Sequence, residues 1–197
     1  MTRLFVLARH GESTLNIERV VNGDPNVDVR LTEKGREESR RLGAEVRNIE
    51  LDLCVHTRFG RTRETAELAL DGRDVPFEVE ALLDDVYVGD LEGLTIDDYR
   101  AWKRGHTRSD RFPGGESLDE AAIRYGRGFQ RLLARRERTI LVVTHEIPVR
   151  YALNAAEGSD DLDAPHHQLG NAMPYLFGEE QLARAAERLV TRREPSS

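Results

Sequence analysis

The chain is short of cysteine, of long apolar runs and of positive charge, and each shortage excludes a class of function. One cysteine, Cys54, among 197 residues leaves no partner for an internal disulfide and no cysteine-rich metal site. It lies in Leu51-Asp52-Leu53-Cys54-Val55, which reads as a buried strand with the thiol as a small core hydrophobe. No apolar run approaches the length of a membrane span. Met1-Thr2-Arg3 leads at once into strand-like sequence, without the apolar core and cleavage site of a signal peptide, so a cytoplasmic location is expected. Lys and Arg number 29 against 36 Asp and Glu, a formal charge of −7, which argues against nucleic acid and acidic membrane as partners. An anionic ligand must then be held by a local cluster of arginines.

Repeats and low-complexity segments are also missing, and residues 1–197 read as a single domain large enough to bury a full core. Strands are expected at 3–8, 52–57, 76–80 and 139–144, the last continuously apolar and β-branched like a central parallel strand. Helices are expected at 33–48 after Thr32 as N-cap, at 61–70, at 118–135 and at 147–156 with Pro148 in the first turn. Ser117 and Glu120 form a capping-box pattern, and Leu118, Ala122, Tyr125, Phe129, Leu132 and Leu133 then share one helical face. This alternation implies an α/β fold, a three-layer sandwich with a mostly parallel central sheet flanked by helices. Residues 84–116, punctuated by Gly89, Gly93, Gly105 and Pro113-Gly114-Gly115, read as an excursion over the active site. Residues 157–171 read as a polar loop, and 179–192 as either a helix or a terminal hairpin.

Four polar segments follow the expected strands. They are Arg9-His10-Gly11-Glu12, Thr57-Arg58-Phe59-Gly60-Arg61, Leu83-Asp84-Asp85 with Gly89-Asp90-Leu91-Glu92-Gly93, and Thr144-His145-Glu146. In a doubly wound sheet the carboxyl ends of strands share one edge, where ligands bind. Two imidazoles, at least two guanidinium groups and a carboxylate can converge there, which points to phosphate chemistry on a histidine.

With these segments in view, the chain resembles the histidine phosphatase superfamily, the phosphoglycerate mutase-like proteins, over roughly residues 4–177. The resemblance rests on Arg9-His10-Gly11-Glu12 with Asn16, Asp28 to Gly35, Arg61 with Thr65-Ala66-Glu67, Gly89 to Gly93, Gly114-Gly115-Glu116-Ser117, and His145 after an apolar strand. It implies the phosphoglycerate mutase-like sandwich and covalent catalysis, with His10 attacking phosphorus through an unprotonated ring nitrogen. Arg9 and Arg61 would clamp phosphoryl oxygens, and His145 would stabilise charge in the transition state. Asn16, Asn22, Gly23, Thr57 and Glu146 would line the substrate site.

The proton donor departs from the family pattern. The resemblance points to the position four residues before Gly89, where the family usually carries glutamate and this chain has Asp85; Asp84 competes for the role. Aspartate sets its carboxyl about 1.5 Å further back. The family often has Gly after the second histidine, where Glu146 would add negative charge and favour substrates with a neutral or positive group. Arg58, Arg63 and the adjacent His166 and His167 read as surface groups, His56 as packing, and Tyr99 and Trp102 as lid core or pocket wall.

The expected activity is a phosphatase hydrolysing a small phosphorylated metabolite through a phosphohistidine on His10. It would be a metal-independent, histidine acid phosphatase-type phosphomonoesterase without a cofactor. A cofactor-dependent phosphoglycerate mutase and a non-catalytic module that binds phosphorylated ligands are the alternatives. Mutases of this type are expected to be longer, with extra residues in the excursion. A homodimer is left open.

Overall fold

A computed structural model describes residues 3–164 and 169–191. The apolar segments form the inner strands of a five-stranded sheet: β1 (Leu4–Arg9), β2 (Leu53–His56) and β4 (Thr139–Thr144). Two outer strands, β3 (Phe77–Val79) and β5 (Pro174–Gly178), complete the order β3-β2-β4-β1-β5. All pairings are parallel except that of β5 with β1.

Alternation along the strands divides the core into two faces. Phe5, Leu7, Val55, Ile140 and Val142 pack under α5 (Leu118–Leu133), α6 (Glu146–Ala156) and α7 (Glu179–Val190). Val6, Ala8, Cys54, Leu141 and Val143 face α2 (Glu33–Glu45) and α3 (Gly60–Ala69). The result is the expected three-layer α/β sandwich, and Cys54 is a core residue whose thiol burial pushes up to about 12.

Local signals placed the main helices well. Thr32 Oγ1 caps α2 by accepting from Gly35 N at 3.0 Å, and the Ser117–Glu120 box starts α5. The segment left open between helix and hairpin is the helix α7, which buries Leu182, Ala185, Ala186 and Leu189, and the strand β5 that precedes it was not expected. Two further helices were not expected, α1 (Thr14–Glu18) and α4 (Ile96–Arg104), the latter inside the 84–116 excursion.

Register fixes the site. Arg9 pairs with Thr144, and His10 N donates to Thr144 O at 2.9 Å, so the residues after β1 and β4 leave the sheet side by side. These residues are His10 and His145. The close approach of the residues after β1 to α2 requires Gly11, because a Cβ there would lie 2.3 Å from the Gly35 carbonyl oxygen.

Candidate active site

His10 and His145 are buried, and their ring centroids lie 5.5 Å apart, edge to face. His10 Nδ1 is 2.7 Å from the Gly11 carbonyl, which can only accept, so Nδ1 carries the proton. The lone pair therefore sits on Nε2, where Arg61 Nε–H donates to it at 3.1 Å. Burial first, then the positive charges of Arg61 and Arg9, hold His10 well below the ordinary 6.5. It is a neutral imidazole with a pre-set tautomer.

His145 is held by a chain of hydroxyls. Arg61 Nη2 donates to its Nδ1 at 3.2 Å, so its Nε2–H donates to Thr57 Oγ1 at 3.0 Å. Thr57 then donates to Thr62 Oγ1 at 2.9 Å, and Thr62 donates to the Phe59 carbonyl at 2.8 Å. Thr57, expected at the substrate, instead stands behind His145 and orients it. Burial, Arg61 and His10 lower the His145 pKa well below 6.5.

Arg61 occupies the first turn of α3 and reaches His10, His145, Asn22 and Asp85. Its guanidinium lies 4.3 Å from the Phe59 ring centroid, contacts Asn22 Oδ1, and stands 3.3 Å from Asp85 Oδ2. Asp85 Oδ2 is also 3.4 Å from His145 Nδ1. Burial raises the Asp85 pKa above 3.8, opposed by Arg61 and by the Val86 N–H bonded to Oδ1. Asp84 points elsewhere: Arg58 N and Nε bond its two oxygens at 3.0 and 2.6 Å. Of the two aspartates, only Asp85 faces the histidines.

A cavity of about 490 Å³ opens on this cluster, with Arg9, His10, Arg61 and Asp85 at one end. Ile96, Tyr99, Arg100 and Lys103, one face of α4, line it from the excursion side. Tyr99 therefore serves as pocket wall while stacking on Phe112 at 5.4 Å, whereas Trp102 packs on Phe112 and His106 within the lid. His56 packs near Phe77 with its Nδ1 bonded to the Thr57 carbonyl, and Arg63 pairs with Glu67 on the surface. His166 and His167 lie outside the described residues.

Three expected substrate contacts change character. Gly23 N donates to Glu92 Oε2 at 2.6 Å, and a Cβ on Gly23 would lie 2.1 Å from the Val86 carbonyl oxygen, so this glycine is a close-packing point whose N–H is already used. Asn22 lines the cavity, but its amide bonds Arg61 through Oδ1 and Glu92 through Nδ2, which makes it a brace for Arg61. Glu146 adds no free negative charge, because Arg9 Nη1 pairs with it at 3.0 Å and Arg150 pairs with its other oxygen. The expected preference for neutral or positive substrates loses its physical basis. Asn16 lines the cavity with Oδ1 accepting from Ser13 N and Oγ, leaving Nδ2 as its donor.

Sequence reasoning gave no role to Glu92, Glu116 or Arg124. The two glutamates lie in the glycine-rich segments Gly89 to Gly93 and Gly114 to Ser117, where a carboxylate beside a glycine turn can tie down backbone N–H groups.

Paired histidines between guanidinium groups, at the carboxyl ends of parallel strands, define a protein built for phosphoryl groups. The histidine phosphatase superfamily (branch 1) profile matches residues 5–191, and the chain belongs to this superfamily. A 2,3-bisphosphoglycerate-dependent phosphoglycerate mutase from a Methylobacterium species is 31% identical, over 90% of this chain and 91% of its own length. Among solved structures, YhfR of Bacillus stearothermophilus is 30% identical with a TM-score of 0.77, covering 88% of this chain and 89% of its own. An alpha-ribazole phosphatase from Shigella flexneri shares the fold, with a TM-score of 0.77 at 23% identity, covering 88% and 89% of the two chains. Length does not separate mutase from phosphatase as expected, since the mutase-named relative is matched over 91% of its length.

Proposed function

We propose that the chain is a phosphatase that hydrolyses a small phosphomonoester through a phosphohistidine on His10. It is read as a metal-independent phosphomonoesterase of the histidine acid phosphatase type. In the first step His10 Nε2 attacks phosphorus, the bond from phosphorus to the ester oxygen breaks, and the Asp85 carboxyl gives its proton to the departing alkoxide. In the second, a water attacks the phosphohistidine while Asp85 takes its proton. The P–N bond breaks and phosphate leaves, with the Nε2 lone pair restored. Arg9 and Arg61 balance the phosphoryl charge as it develops, and His145, its Nε2–H spent on Thr57, orients Arg61 and the Asp85 carboxyl through Nδ1.

The observation that supports hydrolysis is the solvent contact of Asp85. Its side chain is 25% exposed, against 5% for Arg61 and 0% for His145, so the group that must activate water is the one water reaches. The sequence relatives named as mutases favour a second reading, return of the phosphoryl group to a bound sugar acid. Phosphate release from a monoester panel, with His10→Ala as control, tests the proposal. Release that depends on His10 supports hydrolysis; interconversion of phosphoglycerates without net release overturns it in favour of the mutase.

A further inference from the structure

The segment carrying Asp85 is held with almost no slack. Four successive carbonyl groups, those of Leu82, Leu83, Asp84 and Asp85, each accept a side-chain hydrogen bond. Thr144, the residue before His145, takes the Leu83 carbonyl at 2.7 Å. The other three go to one residue, Arg124 of α5: Leu82 O at 3.0 Å and Asp84 O at 2.9 Å from Nη1, and Asp85 O at 3.1 Å from Nη2. Its two remaining N–H groups bind Glu116, Nε to Oε2 at 3.1 Å and Nη2 to Oε1 at 2.5 Å. All five guanidinium donors are thus spent.

Glu116 closes the clamp from the other side. Its Oε1 accepts from Tyr87 N at 2.9 Å, and its own N–H donates to the Tyr87 carbonyl at 2.9 Å. Residues 82–87 are therefore gripped on both flanks of Asp85, while Asp85 Oδ1 is pinned by Val86 N and Oδ2 is left facing Arg61 and His145. Arg124 does not line the 490 Å³ cavity, so it reaches the chemistry through this backbone and through its charge, which lowers the Asp85 and His145 pKa values and which Arg124→Lys preserves.

We propose that Arg124 and Glu116 are positioning residues for the Asp85 carboxyl, fixing the backbone so that the short aspartate reaches the leaving oxygen. An ion pair serving stability alone needs no carbonyl partners. Here the planar fork reads three carbonyls of the segment that bears the acid, a geometry one ammonium point charge does not reproduce. The proposal rests on the reading of Asp85 as proton donor.

The test compares kcat/KM for a primary alkyl phosphate, whose alcohol needs protonation to leave, with that for p-nitrophenyl phosphate, whose phenolate leaves unaided. In kcat/KM only steps up to loss of the alcohol count. Arg124→Lys keeps the charge and loses the fork; Glu116→Gln keeps the volume and loosens the clamp. Both are expected to lower the alkyl phosphate value by about 10–100-fold, the scale of a misplacement near 1 Å, with little change for the nitrophenyl ester. Equal losses on the two esters, or no loss on either, overturn the proposal. Should Arg124→Lys not fold, Glu116→Gln decides alone. Asp85→Asn is measured in parallel: if it shows no difference between the esters, the proton-donor reading itself fails. If only Asp85→Asn discriminates, the clamp alone is refuted.

Discussion

Arg61 Nε donates to His10 Nε2 at 3.1 Å, so the group proposed to clamp phosphate also keeps the proposed nucleophile unprotonated before phosphate arrives. The same guanidinium reaches His145 and Asp85, which makes Arg61 the hub of the site. Its brace runs outward through Asn22 to Glu92. Glu92→Gln is expected to raise KM for phosphomonoesters while changing kcat less. Steady-state kinetics check this, and an unchanged KM would remove the brace from the account.

The two aspartates make opposite predictions. Asp85→Asn should lower kcat/KM for alkyl phosphates by about 10²–10⁴, the usual worth of general acid catalysis. Asp84→Asn should have a much smaller effect, since Asp84 is occupied by Arg58. The reverse ranking would transfer the acid role to Asp84.

Thr57 holds His145 through a hydroxyl, not through its methyl group. Thr57→Val should cost about 5–10-fold in kcat, the net value of one hydrogen bond, and Thr57→Ser should restore it. Serine failing to rescue would mean that packing, not orientation, is what Thr57 supplies.

Stability should fall on the acid side because both histidines are buried as neutral imidazoles. Their folded pKa values lie well below 6.5, so the unfolded chain gains protons as pH drops through that value while the native chain does not. Stability is full above this range and is lost below it, by up to about 1.4 kcal/mol per pH unit for each histidine. Asp85 has the opposite sign: its raised pKa gives stability at low pH that is lost as pH rises through the folded value. Urea midpoints between pH 7 and 5 should therefore decline less steeply in His145→Gln than in the parent, and equal slopes would contradict neutral burial of His145.

Much of this was legible in the sequence because the strongest signals are local. Continuous apolar runs identify β1, β2 and β4, and Thr32 and Ser117 identify helix starts. Once β1 and β4 are neighbours, His10 and His145 must meet. The helix α4 was hidden because glycines on both sides suggested an irregular excursion, although Thr95 and Asp98 form a capping box. β5 is short, begins with proline and is half exposed, so it carries no alternating pattern. Three expected substrate contacts changed character for one reason: Thr57, Gly23 and Glu146, the last of which lines the cavity, have the right chemistry for phosphate, but their polar groups are already used by His145, Glu92, and Arg9 with Arg150. Such partners are distant in sequence and become visible only in three dimensions.

The covalent step on His10 is tested most directly by acid-free rapid quenching of the enzyme mixed with p-nitrophenyl phosphate radiolabelled at phosphorus. Nε2 is the unprotonated, Arg61-bonded nitrogen, so the account predicts a labelled protein whose label is stable to alkali, labile to acid and absent from His10→Ala. Label retained by His10→Ala, or turnover of the ester with no labelled intermediate, would contradict it.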